Sequence, residues 1–191
     1  MARAITVLEG YNTRLAPRVN EVAERHVFSE VAAALGFRDT ESETVADAFF
    51  AFFRRSVVAY PETVAVLQHL QAAGTEVGVL TDVPYGMDRA RVEADLVAAG
   101  LDGLITVLLT SVEVGRRKPP PAGFVRLAAE LGVAVGDLLY VGNERKDIDG
   151  ANAAGARSVL IDREHEQPSW GAGASIKSLS GVFDVVSCPG D

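Results

Sequence analysis

The sequence predicts an α/β chain, a parallel doubly wound sheet with a small helical insert near its amino end. Three observations carry this. From residue 60 onward, short apolar runs alternate with amphipathic stretches of about ten residues, as crossovers between parallel strands require. Gly74, Gly100 and Gly132 close those stretches where helices end. Between residues 14 and 59, two helical patterns follow one another with no strand run between them.

Taken in order, residues 5–8 (ITVL) read as a first buried strand closed by Glu9-Gly10. Residues 18–35 place Val19, Val22, Val27, Val31, Ala34 and Leu35 near helical period and stop at Gly36. Residues 40–55 open on a capping box, Thr40 as N-cap and Glu43 three residues on, and carry an aromatic face of Phe49, Phe50, Phe52 and Phe53. Residues 62–73 form a helix and 77–80 a strand ending in Thr81-Asp82. A loop at Tyr85-Gly86-Met87 is expected to touch the insert. A helix over 88–99, a strand over 105–109 ending in Thr110-Ser111, a helix over 122–131 and a strand over 138–141 follow. A helix starting at 149, a strand over 158–161, a surface loop over 167–174 and an edge strand over 182–186 complete the pattern.

The 191 residues allow one α/β domain with a modest insertion. A net charge of -8 argues against general nucleic-acid binding, which needs clustered Lys and Arg against phosphates. Arg116 and Arg117, in the longest basic cluster, read as surface charges. His26, His69 and His165 share no metal-ligand spacing. The single cysteine, Cys188, excludes an internal disulfide and fits a reducing compartment. No run approaches the ~20 apolar residues of a membrane span, and the first ten residues lack the apolar core of a secretory signal, so the expected location is the cytoplasm with no membrane partner.

Strand ends supply the candidate site: Glu9, Thr81-Asp82, Thr110-Ser111, Asn143-Glu144 and Asp147, with Lys118 in the run GRRKPPP. In open α/β sheets ligands bind at the carboxyl edge of the strands. A hydroxyl, a lysine and carboxylates converging there suit phosphoryl chemistry. A carboxylate can attack phosphorus, cations and hydroxyls hold the non-bridging oxygens, and Mg²⁺ can neutralise developing charge.

The ordered set resembles the haloacid dehalogenase superfamily. Thr81 in VGVLTD matches its second motif, Lys118 in RRKPPPAGF its third and YVGNERKDIDGANAAGA its fourth, over roughly residues 60–162. The resemblance implies a Rossmann-like core over residues 1–13 and 60–191 and a helical cap over 14–59. It also implies hydrolysis of a small phosphate ester, with Mg²⁺ and a small anionic substrate. It implies Glu9, Thr81 and Lys118 as catalytic residues, Thr81, Asp82 and Lys118 around the phosphate, and Glu9, Asn143 and Asp147 around the metal. The first motif departs from the family. Glu9 stands in the slot of the nucleophilic Asp, and Tyr11 where phosphatases carry their acid/base Asp. One extra methylene displaces the Glu9 carboxylate by up to ~1.5 Å, and misplacement by about 1 Å can cost on the order of 10²-fold. Two other readings stand beside the phosphatase. One is a catalytically impaired member serving as a binding or interaction module; the other is a dehalogenase-like hydrolase, suggested by Tyr11. Exposed aromatics on the cap would suit a homodimer.

Overall fold

The computed structural model describes residues 1–164 and 166–187; His165 and Cys188 lie outside the described residues. The elements, in chain order, are α1 (Ala2–Tyr11), α2 (Glu24–Leu35), α3 (Ser42–Phe53), α4 (Thr63–Ala72), β1 (Gly78–Thr81), α5 (Arg89–Ala98), β2 (Val107–Thr110), α6 (Ser111–Val114), α7 (Ala122–Leu131), β3 (Leu139–Gly142), α8 (Arg145–Ala154), β4 (Arg157–Ile161), β5 (Ala174–Ile176) and α9 (Val182–Ser187). They form two compact units. Unit one gathers Met1–Val58, Thr81–Gly100 and Thr110–Arg117; unit two gathers Ala59–Leu80, Leu101–Leu109 and Lys118–Asp191.

Unit one is helical, and its first element overturns a sequence expectation. Residues 5–8 are not a strand; they lie inside α1. The β-branched run ITV suggests a strand locally, but Ala4, Val7, Leu8 and Tyr11 recur at helical spacing and all pack into one core. That core also holds Val27, Phe28 and Val31 of α2 and Ala46 and Phe50 of α3. Phe28 and Phe50 are fully buried, each stabilising by roughly 1.5–3 kcal/mol. Residues 1–13, expected with the sheet, therefore belong to the helical unit. α2 starts at Glu24 rather than residue 18, because residues 19–21 run extended beside 115–117, with Arg117 N–H on the Val19 carbonyl at 2.8 Å and Glu21 N–H on that of Gly115 at 3.0 Å. The capping box expected at Thr40 is displaced: the Glu41 carboxylate accepts from Arg38 N–H at 2.9 Å, and α3 starts at Ser42. The 85–87 loop does touch the insert. The Tyr85 ring lies 5.1 Å from that of Phe49, and Gly86 sits so close to the Val22 carbonyl that a Cβ would fall 2.2 Å from it.

Unit two carries the sheet. β3, β4 and β5 pair in parallel in that order, Leu139 opposite Arg157 and Val159 opposite Ala174. β1 pairs with β2. Parallel strands need helices over their faces, and α7 supplies one: Leu127 and Leu131 press on Gly78, Leu80 presses on Gly123, and the Phe124 ring meets that of Tyr140 at 4.7 Å. Two expectations change here. Residues 182–186 lie in α9, not in an edge strand; the strand beyond β4 is β5, which starts at the last residue of the expected loop and at three residues is too short to display alternation. α8 starts at Arg145, four residues before the sequence pattern placed it.

Candidate functional site

The early start of α8 decides the geometry of the fourth motif. Glu144 keeps an extended backbone and Asp147 falls in the first helical turn, where four backbone N–H groups lack intrahelical partners. Asp147 Oδ2 accepts from Asn143 N–H at 3.2 Å and from Glu144 N–H at 3.0 Å. Gly142 makes this possible, since a Cβ there would lie 2.3 Å from the Asp147 Cβ. The carboxylate is thus fixed at the carboxyl end of β3 and the amino end of a helix, where the macrodipole favours negative charge.

Lys118 meets it. Its Nζ lies 2.7 Å from Asp147 Oδ1, with the two side chains 10% and 6% exposed. Although the charges touch, Oδ1 makes no directed hydrogen bond, so the contact is a charge pair whose oxygen keeps lone pairs available. The same Nζ donates to Tyr140 Oη at 3.1 Å and to the Leu80 carbonyl at 3.3 Å, and Tyr140 Oη donates to that carbonyl at 3.1 Å. An anion drawn to Lys118 would replace the longest of these contacts, and Tyr140 would keep the Leu80 carbonyl satisfied.

Thr81, the residue after Leu80, ends β1 half-buried and belongs to unit one, as does Asp82. The Asp82 side chain, 5% exposed, lies 3.9 Å from Arg117. Arg117 is not a surface charge: it is buried against Glu21 and donates to the Val83 carbonyl at 2.7 Å, while Arg116 is exposed as expected. Glu21 also accepts from Ser111 Oγ at 2.6 Å and Arg18 at 3.1 Å, so Ser111 is a buried structural hydroxyl. Glu9 is exposed on α1, not at the end of a strand where the sequence reading placed it. Asn143 is exposed and Glu144 pairs with Lys146 at 2.8 Å.

A Mg²⁺ ion takes one or two carboxylates beside water and phosphate oxygens. Among the described residues, no three His, Cys, Asp or Glu side chains gather as a metal site. Asp147 Oδ1 is a buried carboxylate oxygen of the kind such an ion takes. Sequence reasoning missed Tyr140, although a tyrosine in an aliphatic strand signals a hydroxyl that needs a partner. It also missed Glu21, whose partners Ser111 and Arg117 lie 90 and 96 residues away and leave no local signal.

Residues 18–161 match the family model described as haloacid dehalogenase-like hydrolase. The chain is 34% identical over 160 residues to a phosphoserine phosphatase of Thermus thermophilus, covering 82% of the chain and 62% of that protein. It is 32% identical over 168 residues to a phosphoglycolate phosphatase of Rhodospirillum rubrum, covering 84% and 66%. The chain therefore spans somewhat less than two thirds of the length of these relatives. A 2-haloacid dehalogenase from Pseudomonas syringae shares the fold, with a TM-score of 0.70 at 23% identity over 98% of this chain and 80% of that one. No helix among the described residues is long and apolar enough to cross a membrane.

Proposed function

Because the chain belongs to the haloacid dehalogenase-like hydrolase family, we propose that it acts on small phosphate monoesters, with Lys118 taking the phosphoryl oxygens. The observation that carries this is the buried Lys118–Asp147 pair at 2.7 Å, at the carboxyl end of β3. Asp147 fixes the lysine; the ammonium offers a preorganised positive charge where phosphoryl oxygens gain charge in the transition state. The relatives that act on phosphoserine and phosphoglycolate support this substrate class. Mg²⁺, where bound, would supply further charge neutralisation, with Asp147 Oδ1 as a protein ligand. Cytoplasmic location and a homodimer through exposed Phe52 and Phe53 remain parts of the same reading.

A second reading is favoured by the position of Glu9. With its carboxylate exposed on a helix, the chain would bind the phosphate ester without cleaving it. Phosphoserine and phosphoglycolate turnover with Mg²⁺, measured beside calorimetric binding, separates the two. Turnover that falls at least ~10²-fold in Lys118→Met, and is unchanged in Glu9→Gln, supports hydrolysis. Binding without turnover, lost in Lys118→Met, supports the second reading. Neither binding nor turnover by the wild type refutes both.

A further inference from the structure

In unit one, the turn that follows β1 is held by side chains rather than by a backbone ladder. Val83 is 2% exposed, and Pro84 after it confines it to an extended backbone, φ -93° and ψ 143°. A buried backbone N–H and its carbonyl must both find partners. Val83 N–H donates to Ser111 Oγ at 3.0 Å, and the Val83 carbonyl accepts from Arg117 at 2.7 Å. Both partners lead to one carboxylate. Ser111 Oγ donates to Glu21 Oε2 at 2.6 Å, and Arg117 pairs with that same oxygen.

Glu21 is itself locked in place. Its Oε1 accepts from Val22 N–H at 3.0 Å and from Arg18 at 3.1 Å, and its side chain is 1% exposed. Glu21 N–H reaches the Gly115 carbonyl at 3.0 Å, and Arg117 N–H reaches that of Val19 at 2.8 Å. These two bonds frame an antiparallel bridge between Asn20 and Arg116. Alternation of period two puts Glu21 and Arg117 on one face of the bridge and the exposed Arg116 on the other. A slip of one residue would turn Arg117 away from Glu21 and strand the Val83 carbonyl, so the ion pair specifies the register. Buried ion pairs add little net stability, and their best-attested use is to fix register.

What this register holds is the end of β1. Thr81 and Asp82 are the two residues before Val83. Thr81 is half-buried at the carboxyl end of its strand, the edge where open α/β sheets take ligands. Asp82 Oδ2 lies 3.9 Å from Arg117. We propose that Glu21 is the positioning residue of this turn: through Ser111 and Arg117 it sets where Thr81 presents its backbone and hydroxyl to an anion. The ligand part rests on the phosphate monoester reading above; the hold on the turn does not. Misplacing a binding group by about 1 Å can cost on the order of 10²-fold, which is the scale on which a slackened Val83 clamp would act.

Amide hydrogen exchange and phosphate binding on the full chain test this together. Glu21→Gln keeps the shape, but its amide N–H₂ cannot accept from Ser111 or Arg117. Arg91→Gln is the control, since it breaks the ion pairs to Glu24 and Asp47, at 2.9 and 2.7 Å, elsewhere in unit one. In Glu21→Gln the Val83 amide exchanges at least about 10-fold faster than in the wild type. Inorganic phosphate, titrated by calorimetry, binds that variant at least about 10-fold more weakly. Arg91→Gln leaves both quantities unchanged. If Glu21→Gln does not fold, Glu21→Asp carries the test with the same two changes, because it keeps the charge and retracts the carboxylate by ~1.5 Å. Unaltered Val83 exchange in the Glu21 variant, or equal acceleration in Arg91→Gln, overturns the proposal. So does phosphate that binds the wild type and the Glu21 variant equally. A wild type that binds no phosphate overturns the ligand part together with the reading beneath it, while the exchange comparison still decides the hold on the turn.

Discussion

Replacing Lys118 by Met tests whether the buried pair is the organising contact of the sheet unit. Removing one member of a buried ion pair costs about 3–5 kcal/mol, because the remaining charge is stranded. Asp147 would still hold two backbone N–H bonds, at 3.2 and 3.0 Å, and Tyr140 would still serve the Leu80 carbonyl. The cost therefore falls near the low end, about 3 kcal/mol, a drop of roughly 6–12 °C in Tm for a chain of this size. Asp147→Asn removes the charge but keeps the shape. In Lys118→Met/Asp147→Asn neither charge is stranded, so the double variant is more stable than the two single losses sum to, by about 1.5–3 kcal/mol. Urea unfolding of all four proteins at pH 7 measures this coupling. Because both side chains are at least nine-tenths buried, the coupling persists in 1 M salt, where surface pairs are screened. Losses that add within about 0.5 kcal/mol, or a coupling that vanishes in salt, would refute the reasoning.

Two further outcomes follow from local geometry. Gly142→Ala puts a Cβ 2.3 Å from the Asp147 Cβ and 2.7 Å from its Cγ, which forces the start of α8 outward. It lowers the urea stability by about 2–3 kcal/mol, and Lys118→Met then costs less in that background than in the wild type. At Glu113, burial alone would raise the carboxyl, but the Thr110 N–H and the Arg89 guanidinium outweigh it and hold the group below its ordinary 4.5. The unfolded chain therefore takes up the proton first as pH falls. The advantage of wild type over Glu113→Gln, on the order of 1 kcal/mol for this capping contact, is full above pH 4.5 and lost as pH drops through the folded-state value. A stability difference that stays constant from pH 7 to pH 3 would contradict this.

How much was legible depends on the range of the interactions. From residue 60 to 161, helices end where Gly74, Gly100 and Gly132 stand, and strands end at Thr81, Thr110 and Gly142, within a residue or two of the sequence reading. There, local signals and tertiary packing agree. The Lys118–Asp147 pairing is legible because each residue carries its own local signal, Asp147 in the first turn of α8 after β3 and Lys118 at the head of the proline run before α7. The first motif is not. A β-branched run such as ITV favours a strand locally, and only the match of Ala4, Val7, Leu8 and Tyr11 to a core built by α2 and α3 turns it into a helix. Arg117 looks like a solvated charge among basic neighbours because nothing nearby reveals Glu21.

The Glu21 carboxylate also sets a schedule for synthesis. Segments 1–58 emerge with most of the helical core, yet Ser111 and Arg117 follow more than fifty residues later. At ~5–20 residues per second, that interval lasts roughly 3–12 s on the ribosome. Throughout it, Glu21 and Arg18 must stay hydrated, and the face they later seal stays open to water. The helices of unit one are therefore a nascent-chain liability: they collapse early and finish late, and a factor that shields apolar surface during translation would act on them in that interval.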